Sequence, residues 1–415
     1  MNPNDVKVLR ELGTKVAEAA ALPINAETIA MWKRLNALKP VRPLIMIDQL
    51  PWNELNDGGE LTLRCQDEFL RSIECTLRQR LYKFTHFRGD MVMPGEVEVH
   101  RLVRTQQSLR LVEQTLATEA DNSVVSHAYE DTIPDEAAVD RIAMPVVTVD
   151  EAGDRRRLEI ARSIFDGILP VRLVGPTWGS GFYAGLWDQI TMFRGAERVL
   201  YDLIDRPEFS LKLIDKFVRM TMSLLDQYEA LDLLEVGGPA VHCTGAYTDE
   251  LPSKRYDGKH AKAADVWVFG LAQVFSTVSP AMHEEFEIEP VKPLLDRFGL
   301  VYYGCCDPMD RKIDIVRKLK TVRKISMSPW ADAERGASQM AGDLVFSAKP
   351  NPAFVAMDSF DEGLIRKELR HIIATCRKYG TPCELILKDV STVKHQPQRL
   401  TWWERIAREE ADAAG

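Results

Sequence analysis

The chain has 415 residues, of which 45% are apolar, and it carries a net charge of −9 with a pI near 5.6. That length fits one large barrel with extensions better than one small domain. The acidic balance, with no basic stretch interleaved with aromatics, argues against a nucleic-acid binder, and no run of 18 apolar residues is present to span a membrane.

The N-terminus, MNPNDVKVLRELGTKVAEAAA, lacks the apolar centre of a signal peptide. Seven cysteines, an odd number unevenly placed, fit a reducing compartment, and the expected location is cytoplasmic. Residues 4–38 read as helical. RPLIMIDQLPW (42–52) reads as a strand followed by a loop. Over 60–82, Leu63, Phe69, Ile73, Leu77 and Leu81 recur at helical spacing. Cys65 and Cys75 on that segment are expected to pack rather than ligate. GEVEVHRLV (95–103) alternates as a half-buried strand does, and 118–140 reads as an acidic surface excursion.

From about residue 165 the rhythm changes. ILPVRLVGP (168–176), LVYYG (300–304), RKISMSP (323–329), DLVFSAKP (343–350) and CELILKDV (383–390) are strand candidates, with helical segments at 281–298, 308–320, 331–341 and 358–380. This alternation predicts parallel βαβ units, hence an α/β fold of the (β/α)8 barrel type over 165–415. Residues 1–164 are expected as an N-terminal helical and α/β extension. In such a barrel, functional residues gather where strands end and loops begin.

VYYGCCDPMD (301–310) places Cys305 and Cys306 at such a point, and thiolate sulfur is a preferred zinc ligand. VHCTGAYTDELP (241–252) follows LLEVGGPA, another expected strand end. It offers His242 and Cys243, then Tyr247, Asp249 and Glu250. After the last strand come Lys388, Asp389 and His395, read as structural. SPAMHEEFEIEP (279–290) is not H-E-x-x-H and reads as a helix capped at Ser279. No phosphate-binding glycine motif and no G-x-S-x-G appear.

The stretch GPTWGSGFYAGLWDQITMFRGAERVLYDLIDRPEFSLKLIDKF (175–217), with its Asp202, Leu203, Pro207, Glu208, Leu213 and Asp215, resembles the uroporphyrinogen decarboxylase superfamily. VSPAMHEEFEIEPVKPLLDRFGL is similar to that family's helix before a strand. The resemblance spans roughly 165–400 and implies a barrel. It also implies one of two chemistries: cofactor-free decarboxylation, or methyl transfer to a corrinoid or thiol at zinc. YYGCCDPMD takes the place of the methyltransferases' "HICG" strand end. Cys305 matches the motif cysteine, Tyr303 stands at the histidine position, and no cysteine occurs near LKDVSTV, where the distant ligand belongs. Cys306 is then the substitute ligand, with His242 as the neutral imidazole beside two thiolates. The decarboxylase's "RQAGR" substrate motif is missing.

The resemblance therefore implies a zinc-dependent methyltransferase. It would move a methyl group from a small methyl ether or methylamine to the corrinoid (cobalamin) of a partner protein. The expected zinc ligands are His242, Cys305 and Cys306. Asp249 and Glu250 are the expected catalytic carboxylates, and Trp178, Tyr183, Tyr247 and Trp330 are expected against the substrate. A homodimer is compatible with this reading. The alternatives are a metal-free decarboxylase of the same superfamily and a non-catalytic tetrapyrrole-binding protein.

Overall fold

The computed structural model describes residues 1–116, 125–177 and 181–414. Seven strands form its central sheet, all parallel. In chain order they are β1 (Leu44–Ile47), β2 (Phe182–Ala184), β3 (Trp267–Gly270), β4 (Leu300–Tyr303), β5 (Val322–Met327), β6 (Val345–Ala348) and β7 (Cys383–Leu387). Across the sheet the order is β1-β7-β6-β5-β4-β3-β2. Neighbours thus follow chain order, and the first strand lies against the last, with Leu44 opposite Glu384 and Ile47 opposite Leu387.

That is the strand order of a barrel, but the expected closure is not seen among the described residues: β1 and β2 are not bonded to each other. A small hairpin, Ala240–Val241 with Thr244–Gly245, is associated with this seam. Val241 packs with Trp267 and Tyr302, and Thr244 reaches Glu384 across the interior. Gly245 lies so close to the Trp32 ring that a Cβ there would stand 2.4 Å from it.

The strands are short apolar runs because both faces are buried, one by helices and one by the interior. Alternation sorts the side chains. Val268, Val301 and Tyr303 join the main core beneath the helices, while Trp267, Phe269, Leu300 and Tyr302 turn inward. The helices Glu289–Leu295, Ala333–Met340 and Glu362–Lys378 alternate with the strands. Ser279 caps its helix as expected, its hydroxyl accepting from Met282 N, and a π-helical turn, Glu284–Ile288, follows.

Two sequence expectations need correction. The strand read at 168–176 forms as Val171–Val174, but it pairs with Val97–His100 outside the central sheet. Its place in the sheet is taken by Phe182–Ala184. The segment 1–164 also does more than surround the sheet, because it supplies β1. Of the acidic stretch 118–140, residues 118–124 lie outside the described residues, and Glu136–Arg141 is a short helix. Among the described residues no helix is long and apolar enough to cross a membrane.

Candidate active site

Gly304, at φ +86°, turns the chain sharply at the end of β4, a conformation that costs glycine least. The next two residues are then held from both sides. Asp307 Oδ1 accepts from the Cys305 backbone N–H at 3.1 Å, and the Ser326 hydroxyl donates to the Cys305 carbonyl at 2.6 Å. Cys305 is buried and Cys306 half-buried. Their sulfurs are 3.6 Å apart.

His242 reaches the same place from the seam hairpin. The pairing of Thr244 with Val241 leaves His242 and Cys243 as a two-residue turn, and His242 takes φ +50°. Such turns need left-handed backbone, which is uncommon for a residue other than glycine and recurs at functional positions. The imidazole stacks on Phe269 at 4.1 Å between ring centres, and its Nε2 lies 3.8 Å from Cys305 Sγ.

From β7 comes Lys388, 3% exposed, with Nζ 3.1 Å from Cys305 Sγ. Its ammonium also pairs with Asp389 Oδ2 at 2.7 Å, and that oxygen lies 3.1 Å from Cys306 Sγ, whose single hydrogen is shared between Asp389 and Cys305. Hydrogen bonding from Cys306 holds the Cys305 thiol down, at about 4. Burial opposes this, while His242 and the charge of Lys388 assist. The neighbouring thiol moves the other way, pushed up by its bond to Cys305 and by burial. Burial alone would lower the His242 imidazole. Its bonds to Cys243 and Cys305 overcome that and raise it to about 9.

The residues fit a zinc ion in kind, and two of their separations suit it, but the set as a whole does not converge. Two thiols, an imidazole and a carboxylate are all zinc donors, and separations of 3.6 and 3.8 Å bracket the roughly 3.7 Å edge of a tetrahedron with ~2.3 Å zinc–sulfur bonds. A thiolate and an imidazole that hold protons between them are the groups from which a metal displaces protons. The set is not drawn onto one point. Among the described residues no group of three or more His, Cys, Asp or Glu side chains forms a ready cluster, so an ion here requires Cys306 or His242 to turn toward it.

A cavity of about 360 Å3 opens beside these groups, lined by Cys306, Trp330, Lys349, Asn351, Lys388 and Asp389 with prolines and alanines between them. A larger one, about 430 Å3, lies at the β1 edge between Met46, Lys83, Gly245 and Tyr247. No thiol lines it, and the smaller cavity is therefore the one joined to the chemistry. Deeper in the interior, Lys324 Nζ and Thr244 Oγ1 each lie 2.8 Å from Glu384 Oε2, and the ion pair is fully buried.

The structure brings together His242, Cys305 and Cys306. Tyr183 lies near Phe269, with ring centres 6.1 Å apart, but does not line the cavity, and Trp330 stands exposed at the cavity rim. Asp249 and Glu250 are not there. Asp249 pairs with Lys33 at 2.7 Å, and Glu250 with Arg323, at the N-terminal end of β5. Tyr247 also lies at that opposite end, beside Lys33 and Trp267. The reason is the hairpin, which carries His242 at its tip and returns the chain to the foot of the sheet. Trp178 lies outside the described residues. Tyr303, at the motif's histidine position, points outward and bonds His283 at 2.9 Å. Lys388 and Asp389, structural residues on the sequence reading, stand in the site, and so does Lys349, which no sequence motif marks. The signal for both lysines is a charge directly after an apolar strand, in VFSAK and CELILK.

No family model matches this chain, and no curated protein matches it in sequence. Among solved structures, a methyltransferase from Methanosarcina mazei is similar at 10% sequence identity and a TM-score of 0.49. The match covers 92% of this chain and 98% of that one. The likeness is weak, and no residue role is taken from it.

Proposed function

We propose that this chain is a methyltransferase. It takes the methyl group of a small methyl ether or methylamine and passes it to a corrinoid carried by a separate protein, with zinc held by Cys305, Cys306 and His242. The observation that carries this reading is the Cys305 sulfur, buried and held as thiolate, with Cys306 at 3.6 Å and His242 at 3.8 Å. Zinc, when bound there, supplies Lewis acidity toward the heteroatom that bears the methyl group.

The chain's own residues do the rest. Cys305 and Cys306 provide soft donors. Phe269 fixes the plane of the His242 ring, and Asp389 holds the Lys388 ammonium against Cys305. That ammonium offsets thiolate charge in a site with little water, where charge interactions are strong. Trp330 and the prolines beside it give the substrate an apolar wall.

One observation favours a second reading. Lys349 and Lys388 both line the cavity, and a metal-free decarboxylase needs cations to hold a carboxylate. The test is zinc per chain in the purified protein, together with methyl transfer from a panel of methyl ethers and methylamines to cob(I)alamin. Zinc near one per chain with methylcobalamin formation supports the first reading. A zinc-free protein that releases CO2 from a carboxylic acid supports the second.

A further inference from the structure

Lys349 follows β6 and is 4% exposed. Its ammonium donates to the Tyr302 hydroxyl at 2.6 Å, the Ser347 hydroxyl at 2.7 Å and the Ser347 carbonyl at 3.2 Å. All three acceptors are neutral. They take up its hydrogens, and none of them supplies a negative charge to pair with it directly; a buried charge without a direct counterion is costly.

The nearby carboxylates are already committed. Glu384 Oε2 is held by Lys324 and Thr244, and Asp389 Oδ2 by Lys388 and Cys306. Among the described residues Lys349 has no carboxylate within ion-pair distance. Burial lowers the Lys349 ammonium below the ordinary lysine range, and the nearby Cys243 and Glu384 oppose this only in part. The Ser328 hydroxyl, one residue past β5, is 5% exposed and without a hydrogen-bond partner, but Ser328 is not among the residues that line the cavity. Next to these polar groups the cavity walls are apolar, with Pro329, Trp330, Pro350 and Pro352.

We infer that the cavity takes an anionic substrate, a small methylated carboxylic acid with an apolar body, and that Lys349 is the cation that recognises its carboxylate. The apolar body lies along Trp330 and the prolines, which leaves the methyl-bearing end toward Cys305 and Cys306. The place of the methyl group rests on the methyl-transfer reading; the recognition of the anion does not.

The experiment is equilibrium binding, by calorimetry on the purified full chain with no methyl acceptor present, so that no turnover occurs. The ligands are the isomeric methoxybenzoates and methoxyacetate, each paired with its neutral amide. Wild type is expected to bind at least one acid at least about ten-fold more tightly than its amide, as a charge-assisted contact in a buried site implies. Lys349→Met is expected to reduce that preference to less than about two-fold. Lys349→Gln, which keeps a polar donor without the charge, does the same if the methionine variant fails to fold. Equal binding of acid and amide by wild type overturns the inference. So does a preference retained without Lys349, or failure of every acid to bind. Acid preference without any methyl transfer would sink the reaction and leave the anion site standing, and methyl transfer with no acid preference would do the reverse.

Discussion

The Lys388 ammonium stands 3.1 Å from the Cys305 sulfur and 2.7 Å from Asp389 Oδ2. One cation thus bridges a thiolate and a carboxylate at the end of β7. Lys388→Met removes that charge and leaves the sulfur's other neighbours in place. Methyl transfer is expected to fall about 10²-fold, the size seen when one preorganised electrostatic contact is lost, with partial recovery in Lys388→Arg. Steady-state assays of the two variants beside wild type check this. An unchanged rate in the methionine variant would remove Lys388 from the site.

Asp249 and Glu250 give the opposite expectation. Their partners, Lys33 and Arg323, lie at the far end of the sheet, and both carboxylates are well exposed. Asp249→Asn and Glu250→Gln are expected to leave methyl transfer within about two-fold and to change stability by about 0–1 kcal/mol, the usual worth of surface ion pairs. Urea unfolding and the same assay read both. A hundred-fold loss in either would restore the catalytic role expected from sequence.

The interior ion pair offers a cycle. Lys324 and Glu384 are each completely buried and 2.8 Å apart. Glu384→Gln alone strands the ammonium and is expected to destabilise by about 3–5 kcal/mol. Adding Lys324→Met removes the stranded charge, and the double variant is expected to recover most of that loss. Chemical denaturation of the single and double variants measures the coupling. A double variant no more stable than the single one contradicts this account.

Asp90 sets an acid limit on stability. It is 1% exposed, forks to Arg42 at 2.7 and 2.9 Å, and meets Arg408 at 3.0 Å and Ile45 N at 2.7 Å. Burial alone would raise its carboxyl. The Arg42 bonds and the Arg408 charge overcome this and bring it below the ordinary aspartate range. Because the folded-state value is depressed, the stabilisation is complete above the unfolded value of about 3.9 and is lost as pH falls through the folded value. Wild type is therefore expected to lose stability below about pH 4, while Asp90→Asn is weaker at pH 7 and shows a smaller acid loss. Denaturant midpoints against pH decide it, and parallel profiles would refute the assignment.

Strand type was more legible in the sequence than strand partnership. LVYY and CELIL read as strands because doubly buried strands are plain apolar runs. Val171–Val174 read equally well, yet nothing local in VRLV says that its partner is Val97–His100 rather than the central sheet. FYA, at three residues, is too short to stand out from its surroundings. The site was half legible. Cys305, Cys306 and His242 carry recognisable donor chemistry at strand ends and turns. Asp249 and Glu250 misled because nearness in sequence to His242 was taken for nearness in space. A chain extending ~3.3 Å per residue leaves the hairpin tip within a few positions. Lys349 and Lys388 do not advertise themselves by motif; their meaning comes from burial, which only the fold supplies.

The most direct test is metal content and methyl transfer measured together in wild type and Cys305→Ser. The account expects about one zinc per wild-type chain, as one three-ligand catalytic site implies, and formation of methylcobalamin from cob(I)alamin with a methylated donor. In Cys305→Ser it expects zinc to fall with the rate, at least about ten-fold for a lost ligand. Full activity with unchanged zinc in Cys305→Ser would contradict it.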